Sequence, residues 1–283
     1  MWFKQISFYP LNKEKLPEAD VLADKLAEAE FTHCQGLDWF SEGFAAPVSF
    51  SPELVFPADF TLRVALKKEE KVLPAGVIRD ILEEKVAEIQ NNEARNVGRK
   101  EKQELKEQIT DDLLPRAFTR SGRTEAVFNT RHGYLLVNNA ASAKAENILT
   151  KLREALGGLE ASLPNTKQSP SSLMTGWLLQ GHCEGGFELD SDCELKGDEV
   201  VQHVKNGKTV TQLGLVWREQ IAFILTQDFT LKRIQYLDVL QEEAESNGDD
   251  AASLAFASQI LMAESVSTML EELVSYLGGW EQE

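Results

Sequence analysis

Cysteine and histidine are scarce in this sequence. Its 283 residues include three cysteines (Cys34, Cys183 and Cys193), with no CxxC spacing, and four histidines. This excludes a disulfide framework of the secreted kind, and it disfavours a structural zinc site, whose ligands come in closely spaced pairs. The adjacent pairs His33–Cys34 and His182–Cys183 are best explained as structural residues. We therefore expect neither a metal nor a cofactor.

Long apolar runs and catalytic signatures are also missing. No run approaches the roughly 20 apolar residues that a bilayer span needs, and the N-terminal MWFKQISFYPLNKEK lacks the features of a signal peptide. No Walker loop, strand-linked GxGxxG, GxSxG elbow or HExxH motif occurs. The sequence predicts a cytoplasmic protein without a membrane span, and it gives no support for an enzyme.

Positive charge is limited and unevenly distributed. The chain has 29 Lys and Arg against 46 Asp and Glu, a net charge of −17. Residues 234–283 contain no Lys or Arg and 11 acidic residues, whereas residues 63–123 contain 14 basic and 12 acidic residues. An acidic body with a locally basic middle stays soluble while one surface still attracts a polyanion.

Hydrophobic periodicity predicts an α+β fold. Residues 2–9 and 60–67 have the pattern of strands, and residues 18–29 have that of a helix. After Pro74 the apolar residues follow helical spacing to Ile89, and the pattern resumes near Leu105 after a polar interval. One bent helix and a helical pair both fit this interval, and either would form a projecting tip.

The second half of the chain continues the mixture of strands and helices. A glycine turn at residues 131–133 predicts a hairpin. The other predicted elements are helices over 142–156 and 251–276 and strands over 210–217, 222–226 and 231–236, with residues 246–250 as a loop or linker. The expected architecture has mixed or antiparallel sheets. Its parts are a central α+β domain (1–75 plus 115–160), a helical tip (76–114) and a C-terminal α+β domain (161–283).

Two basic clusters lie in the middle of the chain. One is at a strand end, and the other surrounds an aromatic residue in PRAFTRSGR, which has no acidic residue. Basic side chains neutralise phosphates and an aromatic ring stacks on bases, so the pattern suits nucleic acid. The alternative is that the phenylalanine packs in a core and the arginines pair with surface carboxylates. The candidate residues are Lys67, Lys68, Lys71, Arg116, Phe118, Arg120 and Arg123.

Several segments, taken in order along nearly the whole chain, resemble the RdgC family of bacterial recombination-associated proteins. They begin with the N-terminal Trp2-Phe3-Lys4, and the sharpest are KEEKVLP at residues 68–74 and LLPRAF at residues 113–118. The resemblance persists through the hairpin and through AASAKAE at residues 140–146. KEEKxLP and LLPRAF together in one chain are a specific combination.

The resemblance implies a fold and a function that composition alone does not. Proteins of this family are α+β and form a ring-shaped homodimer with two interfaces. They bind double-stranded DNA, and also single strands, with little sequence preference through a basic central hole. They restrain RecA-dependent recombination by limiting access to DNA. The resemblance therefore implies a nucleoid-associated, cytoplasmic protein that is not an enzyme and uses no cofactor.

The resemblance also assigns roles to residues. The family's DNA-contacting phenylalanine corresponds to Phe118, with Arg116 and Arg120 assigned by adjacency. The KEEK match assigns Lys67, Lys68 and Lys71 to the same surface, and Arg123 belongs to the same cluster. This chain departs from the family at residues 192–199, where a short acidic segment replaces a basic one. We expect any DNA contact made there to be missing.

Two other function classes remain open. The acidic exterior could engage RecA or another basic partner directly, with DNA binding secondary. A carboxylate-dependent nuclease would use Mg²⁺ held by clustered acids, although no pair of carboxylates stands out in the sequence.

Overall fold

Two antiparallel sheets carry the fold. The computed structural model of the chain describes residues 2–190, 198–246 and 250–281. The strands in these ranges are β1 (Ser7–Pro10), β2 (Phe40–Ala45), β3 (Val55–Ala58), β4 (Thr61–Val72), β5 (Phe118–Asn129), β6 (Tyr134–Val137), β7 (Phe187–Leu189), β8 (Gln212–Trp217), β9 (Ile221–Thr226) and β10 (Leu231–Tyr236). The helices are α1 (Ala19–Ala27), α2 (Ala75–Glu93), α3 (Arg99–Leu113), α4 (Ser142–Leu156), α5 (Pro170–Gln180), α6 (Asp198–Lys205), α7 (Asp238–Ser246) and α8 (Ala251–Tyr276). The predicted α+β class with antiparallel sheets is confirmed.

The larger sheet has the strand order β1-β6-β5-β4-β2, and β3 pairs with β4. Every residue of β6 is buried, which explains why its sequence is a continuous apolar run rather than an alternating one. The predicted hairpin is confirmed, with β5 and β6 antiparallel and Asn129 opposite Tyr134. Gly133 has a φ of +74°, a backbone conformation that glycine adopts at no steric cost.

The smaller sheet is a meander with the order β10-β9-β8-β7. Its buried side chains, such as Leu215 and Phe223, join one apolar core with Trp177 from α5 and Leu270 from α8. The helix predicted over 251–276 is confirmed as α8, which begins with a capping box between Asp250 and Ser253. Because α8 is so extensively buried, it is a central part of this core.

The chain divides into two compact units. The first comprises Met1–Glu28, Ala45–Ala65 and Thr124–Glu283, and the second comprises Ala29–Phe44 and Leu66–Arg123. Strands β4 and β5 each contribute residues to both. The division into three parts predicted from the sequence stays a prediction.

The second unit contains a helical pair, one of the two alternatives that the sequence left open. Helix α2 ends where Ala94 adopts a left-handed conformation, with a φ of +51°, and Gly98 precedes α3. Arg95 closes the connection by donating to Glu101 at 2.7 and 2.6 Å. These hydrogen bonds hold the pKa of the Glu101 carboxyl below its usual range.

Several parts of the sequence prediction differ from the structure. The first strand begins at Ser7 rather than at Trp2, because Phe3 is fully buried in the core and Trp2 packs on the Tyr236 ring at 4.5 Å. The strand predicted over 60–67 continues to Val72. Strands β2, β3 and β7 and helices α5, α6 and α7 were not predicted. The proposed loop at 246–250 lies mostly outside the described residues.

A largely buried carboxylate fixes the turn before β7. Glu272 accepts hydrogen bonds from the Gly186 N–H at 2.7 Å and from Trp217 Nε1 and Arg218 Nη2 at 2.9 Å each. Burial alone would raise the pKa of Glu272, but these donors together lower it. At neutral pH the ionised group therefore links α8 to the end of β8.

Replacing Glu272 by alanine is expected to lower the free energy of unfolding by about 2–3 kcal/mol, because several donors lose a largely buried acceptor. Urea denaturation of the full chain measures the change. Glu245→Ala, at an exposed position of α7, is the control and is expected to stay within about 0.5 kcal/mol of wild type. Equal stabilities of the two variants would contradict this role for Glu272.

Candidate nucleic-acid interface

The segment around Phe118 presents an aromatic ring and arginines to solvent. Pro115 ends α3 by starting a 3-10 helix, Leu114–Arg116, after which the chain enters β5 at Phe118. Phe118 is 88% exposed, so it does not fill a core of this chain. Arg116 and Arg120 are exposed, and within the described residues neither forms an ion pair with a carboxylate. This arrangement suits an external anionic ligand better than internal packing.

The predicted lysines lie on the second half of β4. The Lys67 ammonium lies 4.1 Å from the centre of the Phe31 ring, and that of Lys68 lies 4.9 Å from the centre of the Phe40 ring. Lys71 Nζ donates to the Gly36 carbonyl at 3.2 Å and to the Leu114 carbonyl at 2.9 Å. Lys71 thus brings the KEEK segment next to the 3-10 helix that carries Arg116.

The two glutamates of KEEK have different partners. Glu69 is 4% exposed; it accepts from the Cys34 N–H at 3.0 Å, and its carboxylate lies 3.0 Å from His33 Nδ1. These contacts lower the pKa of Glu69, the backbone N–H of Cys34 contributing most. Glu70 instead pairs with Lys68 at 2.6 Å, and this hydrogen bond raises the pKa of Lys68. Glu70 therefore pairs with a candidate lysine, whereas Glu69 pairs with His33.

Strand alternation places these residues on two faces. Ser121 Oγ lies 3.4 Å from the Glu69 carboxylate, so Ser121 and Glu69 share a face. Because neighbouring residues of a strand point to opposite faces, Lys68 and Arg120 lie on the other face, together with Phe118. We call the set Lys67, Glu69, Lys71 and Ser121 the Glu69 face, and the set Phe40, Lys68, Phe118 and Arg120 the Phe40 face.

The structure therefore divides the predicted site residues between two faces. Lys68, Phe118 and Arg120 lie on the Phe40 face, whereas Lys67 and Lys71 lie on the Glu69 face and contact their own chain. Arg123, two residues after Ser121, belongs to the Glu69 face by the same alternation. Arg116 lies just before the strand, in the 3-10 helix.

Sequence reasoning missed the aromatic residues of β2. Phe40 is 58% exposed, and Leu37 and Trp39 just before it are also exposed. Their only sequence signal is the run Leu-Asp-Trp-Phe directly after Gly36, where a polar, turn-forming sequence gives way to large apolar residues. A Trp-Phe pair of this kind is equally typical of a core, so the pattern did not identify a surface.

Other candidate sites were also compared with the structure. Within residues 2–190, 198–246 and 250–281, no three His, Cys, Asp or Glu side chains are grouped as metal ligands would be. Cys34 and Cys183 are free thiols, and burial raises the pKa of Cys183 to about 12. In the same ranges, every helix is too short or too polar to cross a bilayer.

Comparisons with known proteins agree with the resemblance seen in the sequence. The family model described as "Putative exonuclease, RdgC" matches residues 1–280. A protein of Neisseria meningitidis serogroup C / serotype 2a, named "Recombination-associated protein RdgC", is 93% identical over 298 residues, covering 99% of this chain and all of the relative. Proteins of the same name from Laribacter hongkongensis (48% identical, 99% of each chain) and Pseudomonas paraeruginosa (35% identical, 99% of this chain and 98% of the relative) also match.

The alignment with the meningococcal relative is longer than this chain. The meningococcal alignment spans 298 residues, whereas this chain has 283, so the relative contains residues that this chain lacks. The sequence predicts the shortening at residues 192–199, most of which lie outside the described residues.

Proposed function

Because this chain belongs to the RdgC family of recombination-associated proteins, we propose that it binds DNA with little sequence preference and restrains RecA-dependent recombination. The observation that supports this most is the exposed Phe118 between Arg116 and Arg120, in a stretch without acidic residues. Exposed arginines neutralise DNA phosphates, and contacts with phosphates do not depend on the base sequence.

The proposal accounts for the charge distribution of the chain. A protein of charge −17 is repelled by DNA on average, so binding requires a local basic surface. The ring-shaped homodimer implied by the family would enclose duplex DNA and keep the acidic surfaces outside. In this proposal the protein is a nucleoid-associated, cytoplasmic, non-enzymatic factor without a cofactor, and it limits the access of RecA to DNA.

Replacing Phe118 by alanine is expected to weaken binding to a random-sequence duplex about 10-fold, or about 1.4 kcal/mol, because an apolar ring wedged between base steps lets the bent duplex contact more of the protein. Fluorescence anisotropy across a salt series measures this. The slope of log K against log salt is expected to stay unchanged, because the substitution removes no charge.

Phe50→Ala is the matched control, since Phe50 is an exposed phenylalanine of the first unit. It should bind like wild type. Absence of duplex binding by the wild-type chain at low salt would overturn the proposal. A direct interaction of the acidic surface with RecA would then be the better hypothesis, to be measured by pull-down with purified RecA.

A nuclease is a second candidate, because the matching family model carries the word exonuclease in its description. Its test is incubation of end-labelled duplex with the protein and Mg²⁺, with EDTA as the control. Shortening of the labelled strand only with Mg²⁺ would establish cleavage. Intact DNA under conditions where anisotropy shows binding would support a binding function.

A further inference from the structure

The first part of β5 lies at an open edge of the larger sheet. Strand β6 pairs with β5 over residues 126–129, and the other strand neighbour of β5 is β4. Within the described residues, residues 118–122 therefore have a strand neighbour on one side only. All five of these residues are exposed, so the described part of the chain does not bury this edge. An open edge presents backbone N–H and C=O groups to which another strand can pair.

The alignment of β4 with its neighbours determines which backbone groups face this edge. The Lys71 N–H donates to the Trp39 carbonyl at 2.8 Å, so odd-numbered residues of β4 direct their backbone groups toward β2. Ser121 Oγ lies 3.4 Å from the carboxylate of Glu69, another odd-numbered residue, which places Ser121 opposite Glu69. In an antiparallel pair of this kind, the backbone groups of both residues point away from the partner strand. The N–H and C=O of Ser121, and by alternation those of Thr119, therefore face the open edge.

The side chains along this edge are basic, and one position has no side chain. Residues 113–124 contain three arginines and no acidic residue. Glu70, the residue of β4 opposite Arg120, pairs with Lys68 at 2.6 Å. Gly122 lies in the interior of β5, although a Cβ there would meet no other atom within 4 Å and its φ is not left-handed. Because the packing of this chain does not require a glycine there, Gly122 suits the close approach of a second backbone.

These features favour an acidic peptide over other occupants of the edge. An extended peptide supplies both donors and acceptors, which match the N–H and C=O groups of Thr119 and Ser121. Phosphates of DNA accept hydrogen bonds but donate none, so they cannot pair with the carbonyl groups of the edge. The same edge of a second copy would bring arginines next to arginines, and like charges on paired strands are destabilising. Carboxylates on an added strand would instead lie beside Arg120.

We propose that the open edge of β5 binds an acidic segment of a partner protein as an added strand. The backbone of this segment pairs with Thr119 and Ser121, and its Asp or Glu side chains lie beside Arg120. The interaction goes beyond the proposed function, because strand pairing at this edge does not depend on DNA. Since the edge adjoins Phe118, a bound acidic segment also occupies part of the surface proposed for DNA.

The test uses a labelled peptide of about eight residues that alternates glutamate with threonine or valine, here called the glutamate peptide. Fluorescence anisotropy with the full chain is expected to show saturable binding. The same peptide with lysine in place of glutamate is expected to bind at least about 10-fold more weakly, because several charge pairs become repulsive. Arg120→Gln is expected to weaken the glutamate peptide about 3-fold, the effect of one cross-strand charge pair.

A second set of measurements separates strand pairing from charge. Thr119→Pro removes one N–H from the edge without a change of charge and is expected to weaken the glutamate peptide about 10-fold. Proline is tolerated on an edge strand where its nitrogen faces solvent, and thermal unfolding checks the fold. Thr119→Val keeps the N–H and is the matched control, expected within about 2-fold of wild type. In the wild-type chain, amide hydrogen exchange resolved to single residues should slow at Thr119 and Ser121 on peptide addition, but not at Phe118 and Arg120.

Four outcomes would overturn the inference. The first is no saturable binding of the glutamate peptide up to about 1 mM; normal duplex binding by the same preparation would leave the proposed function intact. The second is binding without slowed exchange at Thr119 and Ser121, which would show that the arginines hold the peptide by charge alone. The third is equal affinity for the glutamate and lysine peptides, which would exclude an acidic partner. The fourth is self-association in sedimentation that Thr119→Pro abolishes, which would make the occupant a second copy.

Discussion

Replacing Arg116 and Arg120 together by glutamine is expected to weaken binding to duplex DNA about 60-fold at 0.1 M salt, and about 20-fold at 0.2 M. Each arginine that neutralises a phosphate contributes about 0.9 to the slope of log K against log salt, so the slope should fall by about 1.8. Both side chains are exposed and, within the described residues, without a carboxylate partner, so the fold should not depend on them. Anisotropy titrations at several salt concentrations measure affinity and slope together.

The control for this pair removes the same charge elsewhere. Lys144 and Lys167 are exposed lysines of the first unit, and the double variant Lys144→Gln, Lys167→Gln changes the net charge equally. Its affinity should remain within about 3-fold of wild type, since only a cation that neutralises a phosphate releases counterions on binding. If the affinities of both double variants fall by the same factor, the effect comes from net charge. That result would contradict the proposed interface around Phe118.

Glu125→Ala is expected to lower the free energy of unfolding by about 3–5 kcal/mol, the largest stability effect that we predict for a single substitution. Arg63 is 1% exposed, and its guanidinium pairs with the Glu125 carboxylate while lying 5.1 Å from the centre of the Phe3 ring. Removing the carboxylate takes one ion pair from the buried charge of Arg63. Chemical denaturation of the purified chain measures the loss.

A double substitution separates charge from packing. In Arg63→Met, Glu125→Leu, both charged groups are replaced by apolar side chains of similar length, so no buried charge remains. Such replacements are often neutral or stabilising, and we expect most of the lost stability to return. If the double variant is as unstable as Glu125→Ala, the cost comes from packing around Phe3 rather than from the loss of the ion pair.

The elements predicted best are those whose signal is local. Helix α4 was predicted over its full range because its apolar residues repeat at helical spacing and Gly157 ends it. Helix α8 and strand β10 were predicted with the same bounds for similar reasons. In each case, the periodicity and the residues at the ends indicate the same bounds, and tertiary contacts do not shift those bounds.

The missed strands β2 and β3 depend on contacts with distant parts of the chain. β2 has the sequence FSEGFA, with Gly43 in its interior, and β3 contains Pro57, so neither has the usual composition of a strand. Gly43 is needed because a Cβ there would lie 2.6 Å from the Phe31 Cα. That close approach exists only in the folded chain, so the local periodicity of the sequence does not indicate it.

The candidate site was predictable in composition but not in orientation. The sequence identified the cationic residues and Phe118, yet it could not show that Phe118 is exposed rather than buried. It also treated KKEEK as one charged run, although the structure directs Glu69 toward Cys34 and His33. Side-chain direction follows from strand register, and the register is set by residues far away in the sequence.

Alternate residues of β4 between positions 67 and 71 have two different roles. Lys67, Glu69 and Lys71 hold the surrounding segments in place, so substitutions at these positions act on the fold. Lys68 and Glu70 contact each other at the surface, so substitutions there change mainly the charge presented to a ligand. Substitutions at the even positions can therefore change the surface charge while the odd positions keep the neighbouring segments in place. A single strand thus separates the tuning of a surface from the maintenance of the fold.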